Sequence, residues 1–180
     1  KTVLVTGAGG SIGSELCRQI LGVAPESLIM LDHDESNLHR MELEVTGQGL
    51  LDTDATVVAD IRDRARIHQV FREHRPQIIF HAAALKHLPV LERHPCEGVK
   101  SNVLGTHILV DAAITHRVEK FVLISTDKAA DPTSVLGATK RLAEMVLNDH
   151  LEGGTSLASV RFGNVLGSRG SLLHVIKQQL

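Results

Sequence analysis

Thr2-Val3-Leu4-Val5-Thr6-Gly7-Ala8-Gly9-Gly10-Ser11-Ile12-Gly13 opens the chain, and its reading decides the fold. A β-branched apolar run enters a glycine-rich turn, and the residues after it take helical spacing, so the stretch reads as strand, phosphate-cradling turn and helix start. Gly7, Gly10 and Gly13 permit a tight turn and a close helix–sheet contact, while the backbone amides around Ser11 and Ile12 can face a pyrophosphate at a helix N-terminus. About 20 residues further on, Asp32 ends a second apolar run, where the dinucleotide fingerprint asks for a carboxylate. Asp32 can accept hydrogen bonds from an adenosine ribose and would repel a 2′-phosphate, which favours NAD over NADP. A helix cap or turn is its other reading.

Outward from this stretch, apolar runs at 3–6, 27–32, 56–59, 78–82, 120–125 and 157–161 alternate with helix-like segments around 14–21, 35–46, 64–74, 97–116 and 135–151. Continuous apolar strands separated by helices predict an α/β fold, a doubly wound parallel sheet of Rossmann type covered on both faces. Asp60-Ile61 follows the third run and could bring a carboxylate and an apolar contact to an adenine, or could cap the next helix. Ala82-Ala83-Ala84 follows the fourth, small enough to admit a cofactor or merely to pack closely. After Arg161 the chain becomes Phe162-Gly163-Asn164-Val165-Leu166-Gly167-Ser168-Arg169-Gly170, a loop with three glycines in nine residues. The expected organisation is a dinucleotide-binding domain over 1–161 and the start of a substrate-binding region over 162–180.

The 180 residues, 43% hydrophobic, can bury one sizeable core. Nineteen basic against 21 acidic residues give no reason to expect a nucleic-acid partner. Eleven histidines are scattered without ligand spacing, so no metal site is expected. Cys17 and Cys96 read as free thiols in a reducing, cytoplasmic setting. No apolar run reaches the roughly 20 residues of a membrane span, and no signal peptide is present. The chain starts inside a strand pattern and stops inside a helical one, so an excerpt of a longer protein is expected, with any membrane anchor outside these residues. The 97–116 segment carries Val99, Val103, Leu104, Ile108 and Leu109, a face for packing within the chain or for pairing subunits.

The chemistry gathers at the fifth strand's carboxyl end, the edge where open α/β sheets bind ligands. Ser125-Thr126-Asp127-Lys128 emerges there. Asp131-Pro132 turns the chain, Thr133 or Ser134 caps, and a helix places Leu136 and Lys140 one turn apart. A hydroxyl and a lysine beside a nicotinamide suit hydride transfer, although Asp127–Lys128 alone could be an ordinary surface pair.

The string Ser125-Thr126-Asp127-Lys128-Ala129-Ala130-Asp131-Pro132-Thr133, with Gly137-Ala138-Thr139-Lys140-Arg141, resembles the bacterial nucleotide-sugar 4,6-dehydratases of polysaccharide biosynthesis, in the extended short-chain dehydrogenase/reductase superfamily. His81-Ala82-Ala83-Ala84-Leu85-Lys86-His87, Asn102 with Gly105-Thr106, and the 161–170 segment are similar to the same group. The resemblance implies NAD-dependent 4,6-dehydration of a UDP-N-acetylhexosamine, most naturally UDP-N-acetylglucosamine. Hydride leaves C4, water leaves across C5 and C6, and hydride returns to C6. It assigns Thr126 to the sugar O4 and Lys140 to the nicotinamide ribose. A protonated Asp127 would serve the departing C6 hydroxyl and a neutral Lys128 the C5 proton, states that need burial or a neighbour. Substrate contacts fall to Lys86, Asn164 and Arg169.

One departure stands out. Many members carry tyrosine four residues before the lysine; this chain has Leu136 there and no tyrosine anywhere. It is similar in this to the long membrane-anchored branch, which carries methionine at that place. The O4 base is then expected to be Asp127, directly or through Thr126. A nucleotide-sugar 4-epimerase and a catalytically silent NAD-binding module are the alternatives.

Overall fold

The computed structural model describes residues 1–46, 55–150, 154–163 and 165. Six strands, β1 (Thr2–Thr6), β2 (Ser27–Asp32), β3 (Thr56–Val58), β4 (Ile78–His81), β5 (Lys120–Thr126) and β6 (Ser156–Phe162), form one sheet in the order β3-β2-β1-β4-β5-β6. Every neighbouring pair is parallel. The strand order reverses between β1 and β4, the switch point at which ligands bind in such sheets.

Alternation along the strands fills two cores. Leu4, Ile29, Leu31, Ile79, Phe121 and Leu123 pack with α3 (Arg64–His74), α6 (Gly105–Thr115) and α7 (Val135–Asn148). Val3, Val5, Leu28 and Met30 point the other way, against α1 (Ser11–Gly22) and α2 (Glu35–Thr46). The largest fully buried side chains include Phe71, Phe121 and Leu4, each contributing about 1.5–3 kcal/mol. Cys17 lies in the second core, where burial pushes its thiol up to about 12.

The helix ends follow local chemistry. Asp63 caps α3 by accepting the Arg66 N–H at 3.0 Å, and Ser134, one of two expected caps, accepts the Gly137 N–H of α7 at 3.2 Å. The segment expected as one helix over 97–116 is more complex. Short helices α4 (Leu88–Arg93) and α5 (Pro95–Gly98) precede a wide π-helical turn, Val99–Leu104, before α6. Such a turn resets the helical phase. Ile108 and Leu109 therefore enter the core, while Val99 and Leu104 face outward.

The sheet runs through Phe162, one residue into the expected substrate-binding region. Of the rest of that region, Gly163 and Val165 are described; Asn164 and Arg169 lie outside the described residues.

Candidate active site at the carboxyl edge of the sheet

The glycine turn forms a backbone cradle. Gly7 has φ of 71°, and a Cβ there would lie 2.6 Å from the Ala83 nitrogen. A Cβ on Gly13 would lie 2.0 Å from the Gly7 carbonyl oxygen, so the start of α1 rests directly on the turn. Gly10, at the helix N-cap, brings no side chain over the first amides, and Ser11 and Ile12 are half-buried beside it. The turn thus packs directly on the Ala82–Ala83 backbone and sets the N-terminus of α1, the end of a helix that favours a pyrophosphate, at the edge of the sheet. A dinucleotide fits this cradle.

Asp32 stands at its rim, 7% exposed. One carboxylate oxygen accepts the Gly9 N–H at 2.9 Å and the other the Asp34 N–H at 3.0 Å. It braces the glycine turn, and each oxygen keeps a further lone pair for a ribose hydroxyl. Asp60 accepts the Arg62 backbone N–H at 2.9 Å and grips the Arg62 guanidinium, whose hydrogen bond holds its carboxyl below the usual range. Ile61 departs from the expected adenine contact. Its side chain is turned into the core, where a Cβ on Gly105 would meet it at 2.6 Å.

A buried polar chain links the cradle to the lysine-bearing helix. Thr106 donates its hydroxyl proton to the Asn102 carbonyl at 2.7 Å, so its oxygen accepts from His81 Nε2 at 2.9 Å. That assigns the His81 proton to Nε2 and leaves Nδ1 to accept from Thr6 at 2.7 Å. Burial, with Lys140 nearby, pushes the His81 pKa down to about 3, so the ring is neutral. Asn102, carried by the π-helical turn, pairs with both the N–H and the C=O of Leu85 and donates to Thr139 of α7 at 3.0 Å. The Asn102 clamp fixes the strand end after Ala82–Ala84, with Ala84 exposed and Lys86 on the same exposed stretch.

At the end of β5, Thr126 donates to Asp127 Oδ1 at 2.9 Å and Lys128 Nζ to the same oxygen at 3.1 Å. Both contacts hold the Asp127 carboxyl below its ordinary range, the Thr126 hydroxyl first. This corrects the expectation of a protonated Asp127. Its side chain is 58% exposed and its neighbours favour the carboxylate. Gly163 lies beside it, a Cβ there falling 3.4 Å from Asp127 Oδ2.

Lys140 is 6% exposed and donates to the Ile124 carbonyl at 2.7 Å. Burial pushes its pKa down to about 8, with Glu144 pulling the other way. Leu136, a turn earlier, is buried, and its carbonyl accepts from Thr139 at 3.0 Å. The place of the usual tyrosine is thus filled by an apolar side chain packed inward.

Sequence reasoning left the supporting residues without roles: Asn102, Thr106, Thr139, Ser125 and Glu144. A signal existed. On the α3/α6/α7 face, the inward alternation of β1, β4 and β5 switches from apolar to polar at the last residue each strand turns to that face, Leu4 to Thr6, Ile79 to His81, Leu123 to Ser125.

Comparison with known proteins gives the chain its relatives. Residues 3–180 match the family described as polysaccharide biosynthesis protein. A Bacillus subtilis protein named probable polysaccharide biosynthesis protein EpsC is 47% identical over the whole chain, which covers 30% of that protein. A Campylobacter jejuni UDP-N-acetylglucosamine 4,6-dehydratase (inverting) is 32% identical across 99% of the chain and 53% of its own length. Among solved structures, Pen from Bacillus thuringiensis superposes with a TM-score of 0.91 at 32% identity, covering 99% of this chain and 55% of that one. The UDP-glucose 4-epimerase of Thermus thermophilus, solved as a complex with NAD, superposes with a TM-score of 0.78 at 28% identity, covering 95% and 58%. The chain spans between about a third and three-fifths of these proteins.

Proposed function

The chain belongs to the polysaccharide biosynthesis protein family, and on that premise we propose that it is the NAD-binding and catalytic part of a UDP-N-acetylhexosamine 4,6-dehydratase, most naturally acting on UDP-N-acetylglucosamine. The observation that carries the reading is the Thr126–Asp127–Lys128 cluster at the carboxyl end of β5, one strand from the switch point and beside the helix bearing Lys140. A binding module has no use for such a cluster. The likeness to a dehydratase of that name supports the substrate class, and the NAD complex of a related fold supports the cofactor.

NAD, when bound, supplies a hydride acceptor that returns its hydride later in the same cycle. Gly7, Gly10, Ser11, Ile12 and Gly13 would hold its pyrophosphate, Asp32 its adenosine ribose, the backbone at 60–61 its adenine, and Ala82–Ala84 with Lys140 its nicotinamide half. A cationic Lys140 stabilises the charge that develops as O4 loses its proton.

The order of proton transfers reconciles Asp127 with its charge. As a carboxylate already accepting from Thr126, it is ready to receive the O4 proton through that hydroxyl while hydride leaves C4. The resulting C4 ketone acidifies C5–H. Lys128, entering this step as the neutral amine, takes the C5 proton, and Asp127, now protonated, gives its proton to the departing C6 hydroxyl, releasing water. Lys128 would then give its proton back to C5, so that both residues end the redox-neutral conversion in the states in which they began it. The acid for the second step is made in the first, and no tyrosine is required. Lys86, after β4, and Asn164 and Arg169, within a region that begins near Phe162, are the proposed substrate contacts. No helix among the described residues is long and apolar enough to cross a membrane. A cytoplasmic setting, with any anchor elsewhere in a longer protein, accompanies this reading.

Replacement Asp127→Asn is expected to remove both C4 oxidation and elimination, by about 10²–10⁴-fold each. Single-turnover NADH formation at the wild-type rate in that variant would sink the assignment. The fold likeness to a 4-epimerase favours a second reading. Product analysis separates them: a 4-keto sugar lacking its C6 hydroxyl means dehydration, whereas UDP-N-acetylgalactosamine means epimerisation.

A further inference from the structure

We propose that Glu144 is a positioning residue for the site, its buried carboxylate clamping the carboxyl ends of β5 and β6 to the helix that carries Lys140. The proposal rests on the reading of the site given above, but its first test requires no turnover.

The clamp follows from strand register. Ser125 of β5 pairs with Arg161 of β6, and alternation places both on the face covered by α7. Phe121 and Leu123, earlier on that face, share a core with Ala143 and Leu147 of α7. At the next step the facing groups become polar. Ser125 Oγ donates to Glu144 Oε1 at 2.6 Å, Arg161 Nε to the same oxygen at 2.8 Å, and Arg161 Nη2 to Oε2 at 2.5 Å. Arg141 Nη1 reaches Oε2 at 3.4 Å. One side chain, 4% exposed, thus joins two strand ends and a helix.

The elements it joins are those that carry the chemistry. Ser125 precedes Thr126, and Arg161 lies two residues before Gly163, which packs beside Asp127. Lys140 is one turn before Glu144 on the same helix, and both are buried. An apolar contact would pack the strand ends equally well. A carboxylate adds a fixed negative charge near the Lys140 ammonium. Burial pushes the Glu144 carboxyl up, but the hydrogen bonds from Arg161 and Ser125 outweigh it, and the group stays ionised. Its charge opposes the effect of burial on Lys140. Glu144 therefore sets both where Lys140 sits and the pH at which it remains cationic.

The test uses the full-length protein labelled with 13C at lysine Cε and titrated by NMR without sugar nucleotide, the Lys140 signal being identified by its loss in Lys140→Met. Glu144→Gln keeps the shape and an acceptor for Ser125 while removing the charge. It is expected to titrate about one pH unit below the wild type. In turnover, the alkaline limb of the kcat/KM profile should move down by the same amount. An unchanged Lys140 titration in Glu144→Gln overturns the proposal. Should that variant fail to fold, Arg161→Gln removes the strand anchor but leaves the Glu144 charge, and Lys140 should then titrate at or above its wild-type pH; a downward shift overturns the proposal. A wild type that forms no 4-keto sugar defeats the proposed reaction, while a shifted Lys140 titration still supports the clamp.

Discussion

The two ends of the carboxyl edge are built from opposite materials. Around β1, α1 and β2 the cradle is made of backbone and missing side chains: Gly7 against Ala83, Gly13 against Gly7, and a single carboxylate bracing the turn. Around β5, β6 and α7 the site is made of side chains held by other side chains, with Asp127 gripped by Thr126 and Lys128 and Glu144 gripped by Ser125 and Arg161. Under the proposed function the first end binds by shape and by fixed backbone dipoles, which no change of pH removes. Under the same proposed function the second works by moving protons, and its groups have charges that their surroundings set. The difference teaches that one sheet edge can separate holding from reacting, with the neutral His81 chain as the mechanical link between them.

The largest expected effect breaks the holding end alone. Gly7→Ala places a Cβ at φ of 71° and against the Ala83 backbone, so the turn must open. NAD affinity measured by calorimetry should fall by about 100-fold or more, equivalent to about 2.7 kcal/mol or more. The Lys140 titration should stay where it is. A joint loss of both would dissolve the separation.

Next comes the link. His81→Leu leaves the Thr6 and Thr106 hydroxyl groups without their buried partner and should cost about 2–4 kcal/mol in urea unfolding at neutral pH. The pH dependence sharpens the point. The folded His81 titrates at about 3, against 6.5 as its ordinary value, so between those limits the unfolded chain binds a proton that the folded chain refuses. Folding stability is then lost as pH falls below about 6.5, by about 1.4 kcal/mol per unit for a single group. The wild type minus His81→Leu difference should carry that slope, and a flat difference would remove His81 from the acid sensitivity.

The smallest effect concerns the core behind the cradle. Cys17, buried and with its thiol pushed up to about 12, should stay unmodified by a thiol reagent in the folded protein at pH 8, while exposed Cys96 reacts. Modification of Cys17 at the rate of Cys96 would mean that the α1 face opens readily, and with it the cradle.

Much of the holding end was legible because it is local. Strand, glycine turn and helix follow one another in the chain, and the conformational needs of Gly7 leave their mark in residue type. All six strands lie where their apolar runs predict, within a residue or two at each end. The reacting end was legible only in part. Thr126, Asp127, Lys128 and Lys140 stand out by type and spacing. Little in the neighbourhood of Glu144 distinguishes it from a solvated helix glutamate paired with Arg141, because its strand partners lie 17 and 19 residues away and reach it only through strand register. The break in the 97–116 helix escaped for a related reason, since a π-helical turn changes phase without requiring glycine or proline at its centre.

By itself, then, the sequence determined the sheet, the cradle and which side chains could carry chemistry, since apolar periodicity and glycine placement act over a few neighbouring residues. The tertiary structure decided what those side chains are. It buried Leu136 and Lys140, kept Asp127 ionised and His81 neutral, and turned Ile61 inward. Charge state and orientation depend on desolvation and on partners from distant strands, and those exist only once the sheet has closed around them.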